Sequence, residues 1–209
     1  MTLKLHGMRM SNYYKMVKTA LVEKGLDFEE VHQMPTQKDD AWLARSPMGK
    51  MPALETEHGS LAETMAILEF LEELQPEPTL LPGDAYQRAR IRQIANHAIN
   101  YVDLAMRPGL PAAAFGAPKN EAVSAAVGKS TPRGLVAMGR IAVFDPWIAG
   151  SEFSLADIVV ANCIPLAAMV VKELCEEDLT ASLPEGGAQW LARVQAREAV
   201  RKVEADKAA

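Results

Sequence analysis

The chain has 209 residues, of which 49% are hydrophobic and 23% are charged. This length and balance are typical of a globular protein with one or two domains, and they exclude the collagen-like, disordered and disulfide-scaffold classes. Lys and Arg total 22 and Asp and Glu total 27, so the formal net charge is −5. Nucleic acids and anionic membranes bind basic surfaces, so we expect neither as a partner.

The first 76 residues alternate between strand-like and helix-like periods. The patterns predict strands at residues 3–6, 28–31, 53–56 and 60–62, and helices at residues 11–24, 38–45 and 64–74. A helix joins the first two strands, so we expect these strands to be parallel. The turn at Glu57-His58-Gly59 predicts an antiparallel hairpin. The order β-α-β-α-β-β-α therefore predicts a small mixed sheet covered by helices.

The rest of the chain carries helical patterns without a strand pattern. Prolines at positions 76, 78 and 82 mark a linker at residues 77–85, which separates predicted domains at 1–76 and 86–209. Helices are predicted at residues 86–106, 135–144, 154–171 and 188–205, and a loop or kinked region at 107–118. Just before the second of these helices, Thr131-Pro132 is predicted to provide the N-cap and the first-turn proline.

Two further patterns bear on localisation. The longest apolar stretch, residues 158–171, is shorter than a membrane span and is predicted to form a buried core helix. No secretory apolar run follows Met1, and the chain has only two cysteines. A reducing cytoplasm is therefore the expected location.

Three short stretches place chemically useful residues at the edges of predicted elements. Ser11 precedes the first helix, where its hydroxyl either only caps the helix or also stabilises a thiolate. Met51-Pro52 opens a strand; its peptide bond is either an ordinary trans bond or a cis bond that turns the Met51 backbone outward toward an extended peptide. Thr64, after Glu63, is predicted to cap the third helix, as a plain cap or as part of an anion site.

Other polar residues have structural interpretations. Asp157 follows Ser154 by three residues, the spacing of a capping box, and Phe153 with Ile158 would form the accompanying hydrophobic staple. Asp157 is therefore predicted to be structural rather than catalytic. The histidines are scattered without ligand spacing, so no metal site is expected; they are His6, His32, His58 and His97.

Taken together, these motifs resemble the cytosolic glutathione S-transferase family over nearly the whole chain. The matching segments, in order, are Leu5-His-Gly, Ser11, Val17, Glu23-Lys-Gly-Leu, residues 46–54, Glu63-Thr64-Met-Ala-Ile and Ile148-Ala-Gly-Ser-Glu-Phe-Ser-Leu-Ala-Asp157-Ile. The resemblance implies an α/β, thioredoxin-like N-terminal domain that binds glutathione. It also implies an all-α C-terminal domain that completes the electrophile site, and a homodimer.

The resemblance also implies roles for individual residues. Ser11 would hydrogen-bond the glutathione sulfur, and the Asn12 amide, Tyr13 or Tyr14 could share that contact. Along the tripeptide, Met51 and Pro52 would pair with the cysteinyl backbone, Glu63 and Thr64 would hold the γ-glutamyl end, and Lys50 would approach the glycyl carboxylate. Candidates for the electrophile pocket are Met10, Tyr14, Tyr101, Met106 and Phe115. The chain departs from the family pattern at Thr64, usually serine, and at Ser46, frequently asparagine.

The function implied is a glutathione transferase that activates the thiol of glutathione for attack on a small hydrophobic electrophile. Glutathione is then a co-substrate, and neither a metal nor a redox cofactor is needed. A glutathione-dependent isomerase or dehalogenase would use the same sulfur nucleophile, and a non-catalytic module that keeps the fold is a third interpretation. A thiol–disulfide reductase is disfavoured, because neither Cys163 nor Cys175 lies near Ser11 in the sequence.

Overall fold

A computed structural model of the chain describes residues 2–34 and 39–206. By their contacts the described residues fall into two compact units. The first comprises the residues up to Leu80 together with those from Ala196 onward, and the second is Leu81–Gln195. Residues 196–206 thus join the first unit, although the sequence pattern groups them with the second.

The first unit is built on a four-stranded mixed sheet with the strand order β2-β1-β3-β4. Its strands are β1 (Leu3–Gly7), β2 (Phe28–His32), β3 (Ala53–Thr56) and β4 (Gly59–Leu61). The pairing of β1 with β2 is parallel, and those of β1 with β3 and of β3 with β4 are antiparallel. The predicted crossover and hairpin are therefore confirmed.

The helices follow one another along the chain from α1 to α10. They are α1 (Asn12–Glu23), α2 (Asp40–Arg45), α3 (Thr64–Leu74), α4 (Ala85–Ala98), α5 (Leu104–Met106), α6 (Leu110–Ala114), α7 (Glu121–Met138), α8 (Leu155–Cys175), α9 (Gly187–Gln195) and α10 (Glu198–Ala205). A π-helical turn, Ile99–Asp103, and a 3-10 turn, Arg107–Gly109, continue the long helix predicted from residue 86. Lys38, predicted to begin α2, lies outside the described residues.

The core of the first unit follows the predicted apolar stripes. Helix α1 packs against α3, and α3 packs against β3. The buried side chains on these elements include Leu5, Val17, Leu21, Leu54, Ile67, Leu68 and Leu71. Helix α1 ends at Glu23 with Lys24 as its C-cap, and Gly25 follows with a φ of +63°, a conformation that glycine adopts without steric cost. The first helix thus begins and ends where the sequence predicts.

The second unit is helical and is centred on α8, whose buried residues include Ile158, Val159 and Val160. At 21 residues, α8 begins one residue after the start of the predicted helix 154–171 and continues four residues beyond its predicted end. By length and composition alone it is long and apolar enough to cross a membrane. Of its 18-residue apolar stretch, 56% is buried. Core helices of globular units pass the same test, and the many buried residues of α8 agree with the predicted core helix.

Helix α7 corrects the prediction around Thr131-Pro132. The helix begins at Glu121, where the Asn120 side chain accepts a hydrogen bond from Val123 N–H at 3.1 Å, so Pro132 lies inside it. A Cβ at Gly134 would lie 1.9 Å from the carbonyl oxygen of Tyr101. The close approach of α7 to the π-helical turn therefore requires glycine there, and this packing overrides a segment of weak helix formers.

The predicted final helix at 188–205 is interrupted. Helix α9 ends at Gln195, and Arg197 adopts an extended conformation with φ −64° and ψ 142° before α10 begins. Neither glycine nor proline lies at this point, so local propensity gives no reason for a break. The Arg197 guanidinium instead donates two hydrogen bonds to Glu23 of α1, each 2.7 Å long, and this tertiary contact sets the position of α10.

Candidate active site

Ser11 caps the N-terminus of α1, as predicted. Its Oγ accepts a hydrogen bond from Tyr14 N–H at 3.4 Å, and its backbone is extended. Within the described chain this is the one hydrogen bond of the half-buried Ser11 side chain. Since a hydroxyl also carries a proton, Ser11 can still donate to a group bound at the positive end of the helix.

Tyr14 is not available for either of its predicted roles, the contact with the glutathione sulfur and the lining of the electrophile pocket. Its side chain is only 1% exposed, and its hydroxyl donates a 2.6 Å hydrogen bond to Glu30. Burial, reinforced by this hydrogen bond and by the charge of Glu30, raises the pKa of Tyr14 well above its ordinary value. Tyr14 therefore belongs to the core, while Asn12, which is buried, and Tyr13, which is half-buried, lie on the first turn of α1.

The segment before β3 is organised by Ser46. Its Oγ accepts a hydrogen bond from Lys50 N–H at 3.1 Å and donates one to the Lys50 carbonyl at 2.6 Å. The Ser46 side chain thus closes this loop. The Lys50 side chain points into solvent, Pro52 is buried, and the Met51–Pro52 peptide bond is cis.

Gly7, at the end of β1, brings the first helix and the Met51 segment together. A Cβ there would lie 2.5 Å from Tyr14 Cδ2 and 3.4 Å from Met51 Cβ. Its φ of +156° is also one that residues with side chains seldom adopt. The absence of a side chain at this position therefore permits α1, which Ser11 caps, and Met51 to approach the same strand end.

The N-terminus of α3 differs from the prediction by one residue. Glu63, not Thr64, is the N-cap, and Thr64 is the first helical residue, 8% exposed. Glu63 has φ 68° and ψ 111°, a conformation that costs a residue with a Cβ about 1–3 kcal/mol. Its side chain makes no capping hydrogen bond. The first N–H groups of α3 are therefore positioned to bind an anion.

The electrophile-pocket candidates divide into exposed and buried residues. Met10 is 65% exposed, Tyr101 59% and Phe115 72%, whereas Met106 is fully buried. Met106 is therefore excluded as a ligand contact, because it packs in the core of the second unit. The Tyr101 ring packs against His97, with 4.9 Å between ring centroids, and both line a cleft of about 390 Å³.

A second, more apolar cleft was not predicted from the sequence. It has a volume of about 520 Å³ and lies between the α5 region and the first half of α7. Its walls include Leu104, Pro108, Val123 and Val127. No sequence pattern pointed to it, since residues 121–130 were not predicted to be helical.

The structural role of Asp157 is supported by its contacts. The side chain is fully buried and accepts four hydrogen bonds, from Ile148 N–H, Ser154 N–H, Ser154 Oγ and Trp190 Nε1, at 2.9, 2.8, 3.0 and 2.6 Å. Burial raises the pKa of Asp157, although these hydrogen bonds oppose the shift. The predicted capping box with Ser154 is confirmed. In residues 2–34 and 39–206 we find no group of three or more His, Cys, Asp and Glu residues arranged to hold a metal ion.

The family is established by comparison with known proteins. A family model described as "Glutathione S-transferase, N-terminal domain" matches residues 5–79. A glutathione S-transferase of Pseudomonas putida is 38% identical over 186 residues, which are 89% of this chain and 84% of that protein. The maleylacetoacetate isomerase of Pseudomonas aeruginosa is 30% identical over 171 residues, 72% of this chain and 77% of that protein. This chain belongs to the glutathione S-transferase family.

A solved structure extends the similarity to three dimensions. The holo structure of maleyl pyruvate isomerase, described as a bacterial glutathione S-transferase of the zeta class, matches with a TM-score of 0.78 at 27% identity. The match covers 96% of this chain and 95% of that one. The predicted fold class, a thioredoxin-like α/β part with an all-α part, is therefore confirmed.

Proposed function

We propose that this chain is a glutathione transferase in which Ser11 activates the glutathione thiol. The observation that carries the proposal is a hydroxyl at the N-terminus of α1 whose proton has no acceptor among the described residues. A thiol with an ordinary pKa of about 8.5 is stabilised as a thiolate by a donated hydrogen bond and by the helix dipole. The thiolate then attacks a small hydrophobic electrophile. No metal or redox cofactor takes part in this scheme.

Glutathione is proposed to bind along the first unit. The exposed Glu63 carboxylate would meet the α-amino group of the γ-glutamyl moiety, and the Thr64 hydroxyl with the first N–H groups of α3 would bind its carboxylate. The Met51-Pro52 segment would pair with the cysteinyl backbone, and Lys50 would approach the glycyl carboxylate. The uncapped, left-handed Glu63 supports this placement, because such strained residues cluster at binding sites.

Calorimetric titration tests this placement of the tripeptide. Thr64→Ala removes a charge-assisted hydrogen bond of about 1.5–3 kcal/mol and should weaken glutathione binding tenfold or more, while Thr64→Ser should change Kd only a few-fold. Cysteinylglycine, which lacks the γ-glutamyl group, should bind weakly and be insensitive to Thr64→Ala. Equal glutathione affinity in Thr64→Ala and wild type would show that Thr64 only supports the helix.

An isomerase is the second candidate, and two comparisons favour it. The Pseudomonas aeruginosa relative is a maleylacetoacetate isomerase, and the matched zeta-class structure is a maleyl pyruvate isomerase. In such a reaction the same thiolate would add to a cis carbon–carbon double bond, the resulting single bond would rotate, and the thiolate would leave again. Glutathione would then be regenerated rather than consumed.

Two assays separate these functions. Transferase activity predicts that an aryl halide is converted to a glutathione conjugate, with release of halide and loss of free thiol. Isomerase activity predicts that a cis-unsaturated diacid of the maleyl type is converted to its trans isomer at constant thiol concentration. Binding of glutathione without either reaction would favour a non-catalytic module.

The oligomeric state and the cellular location of the protein follow from the same proposed function. We propose a cytoplasmic homodimer that consumes reactive electrophiles, a detoxifying role, with no nucleic-acid or membrane partner. In a dimer, an acid of the second copy could assist Glu63 at the α-amino group. Sedimentation at micromolar concentration tests the dimer, and a monomer there would contradict it.

A further inference from the structure

The C-terminal segment lies along the first helix. We call residues 197–206 the C-terminal strap. Arg197 pairs with Glu23 near the end of α1, and Glu204 lies 2.5 Å from Lys15 nearer its beginning. Glu23 lies eight positions after Lys15 and Glu204 lies seven positions after Arg197, so the two spans are about 12 and 10.5 Å at 1.5 Å per residue. The strap therefore runs antiparallel to α1 in register with it.

The strap is packed as well as paired. Ala199 and Val203 are four residues apart on α10 and only 6% and 3% exposed, so one face of the helix is buried in the first unit. At its end, the Asp206 carboxylate accepts a 2.7 Å hydrogen bond from Lys18 Nζ. The Asp206 carbonyl accepts another from Arg9 Nη1 at 3.2 Å. The strap thus contacts both α1 and the loop that precedes it.

Glu30 on β2 joins these contacts to Tyr14. It accepts a 2.8 Å hydrogen bond from Lys18, a 2.6 Å bond from Tyr14 Oη, and two from Arg9 at 3.2 and 3.3 Å. Burial acts to raise the pKa of Glu30, but the hydrogen bonds from Lys18, Tyr14 and Arg9 outweigh it and the pKa is lowered. The Lys18 side chain is only 4% exposed, so this pair is largely shielded from water.

Residues on both sides of Ser11 in the sequence take part in these contacts. Arg9 lies two residues before it, in the loop that leads into α1. Tyr14 lies three residues after it and supplies the N–H that bonds to Ser11 Oγ. Neither Asp206 nor Glu30 touches Ser11, so each can act on it only through Arg9, Tyr14 and Lys18.

We propose that the end of the C-terminal strap, at Asp206, positions Ser11 for thiol activation, with Asp206, Lys18, Glu30 and Arg9 as positioning residues. The inference rests on the proposed function, because it assigns these residues to the Ser11 hydroxyl that activates glutathione. A hydrogen bond to sulfur depends on the direction of the O–H group and weakens steeply when it is misaligned. Holding the residues on both sides of Ser11 fixes that direction before the ligand binds.

Three variants test the proposal against a merely stabilising role. Asp206→Asn removes the charge that pairs with Lys18, and Lys18→Met removes the side chain that joins Asp206 to Glu30. Glu204→Gln is the matched control, because it removes the ion pair with Lys15 and leaves the contacts of Asp206 with Lys18 and Arg9 in place. For each protein we would measure thermal unfolding, the pH dependence of the thiolate absorbance of bound glutathione, and kcat and KM with an aryl halide.

The expected result is a shift of the pH profile in the two test variants only. Near neutral pH their kcat should fall by about three- to tenfold while KM for glutathione stays within about twofold, since the ligand contacts remain. At alkaline pH, where the thiol is ionised in every protein, the difference should disappear. A loss of stability alone would not produce recovery of kcat at high pH.

Two results would overturn the inference in distinguishable ways. If Ser11→Ala shifts the thiolate titration but Asp206→Asn and Lys18→Met follow the wild-type profile, the strap has no positioning role and the proposed function stands. If wild type binds no glutathione, or binds it without forming thiolate near neutral pH, the proposed function fails and the inference fails with it.

Discussion

Lys24 Nζ lies 2.6 Å from Glu72 Oε2, and the Lys24 side chain is fully buried. The same amine donates to the carbonyls of Gln75 and Pro78 at 2.7 and 3.0 Å. Glu72 in turn accepts hydrogen bonds from Thr79 Oγ1 and Leu80 N–H. This pair therefore ties the end of α1 to α3 and to the chain that follows α3.

Replacing Lys24 should be strongly destabilising. Lys24→Met leaves the Glu72 carboxylate buried without its cation, a loss of about 3–5 kcal/mol in the free energy of unfolding. Urea unfolding of the purified variants measures it. The double variant Lys24→Met with Glu72→Gln should regain part of the loss, because no charge is then buried without a partner. A double variant less stable than Lys24→Met alone would contradict this account.

The same pair predicts a pH dependence of stability. Burial acts to raise the pKa of Glu72, but hydrogen bonds from Lys24, Thr79 and Leu80 outweigh it, so the pKa lies below its ordinary value. A carboxyl with a lowered folded-state pKa stabilises the protein above its unfolded pKa of about 4.3, and this is lost as the pH falls toward the folded value. Glu72→Gln should therefore lose less stability than wild type on acidification below about pH 4.5. If the free energies of unfolding of the two proteins fall equally as the pH is lowered, Glu72 does not cause the loss of stability in acid.

Two substitutions at Ser11 separate its capping role from its chemical role. Ser11→Ala should lower stability by about 0.5–2 kcal/mol, whereas Ser11→Gly should cost only a few tenths, because glycine is an acceptable N-cap. Both remove the hydroxyl, so both should raise the pKa of the bound thiol and lower kcat near neutral pH, with glutathione affinity within a few-fold. The measurement is thiolate absorbance against pH. Wild-type titration in Ser11→Gly would move the role to Tyr13 or the Asn12 amide.

Glu63 is predicted to lower the stability of the protein and to contribute to glutathione binding. Glu63→Gly relieves the left-handed backbone and should raise the free energy of unfolding by about 1 kcal/mol, while Glu63→Ala keeps the strain and should not. Both remove the carboxylate proposed to meet the α-amino group of glutathione, so both should bind it more weakly. Thermal unfolding and calorimetry on the two variants decide the matter. Equal melting temperatures for Gly and Ala would show that φ at this position carries no cost.

Asp157 is expected to matter more for folding than its capping box alone suggests. Loss of a cap costs about 0.5–2 kcal/mol. The carboxylate also accepts hydrogen bonds from Ile148 N–H and Trp190 Nε1, so Asp157→Ala leaves further buried donors unpaired and should cost about 3–5 kcal/mol. Turnover per folded molecule should change little. A double-mutant cycle with Trp190→Phe measures the indole contribution, and a large loss of kcat at unchanged stability would contradict the structural role.

Local chemistry explains what could be predicted from the sequence. The Ser11 cap, the Gly25 stop, the hairpin before Gly59 and the capping box of Ser154 with Asp157 each depend on residues within four positions of one another. Their geometry is set by backbone groups close in the chain, so residue type and spacing suffice. The candidate site was predictable in part for the same reason, since Ser11, Met51 and Glu63 each lie at the edge of an element.

The features that escaped prediction depend on distant partners. The break before α10 coincides with the contact between Arg197 and Glu23, which are 174 positions apart. Tyr14 is buried, with its hydroxyl bonded to Glu30. Glu63 takes a left-handed conformation although glutamate has no preference for it. Helix α7 continues through Pro132, and Gly134 of the same helix packs against the Tyr101 carbonyl. At Arg197, Tyr14 and Gly134 the partners are distant in the sequence, and no spacing rule records them.

The ring of hydrogen bonds between Ser46 and Lys50 has a consequence for how this protein can change. Because Ser46 both donates to and accepts from Lys50, and its carbonyl accepts a 2.7 Å hydrogen bond from Gly49 N–H, the loop is closed at its base. Met48 at the tip is 66% exposed. Substitutions at Met48 should therefore alter the surface beside Lys50 while the register of β3 is retained.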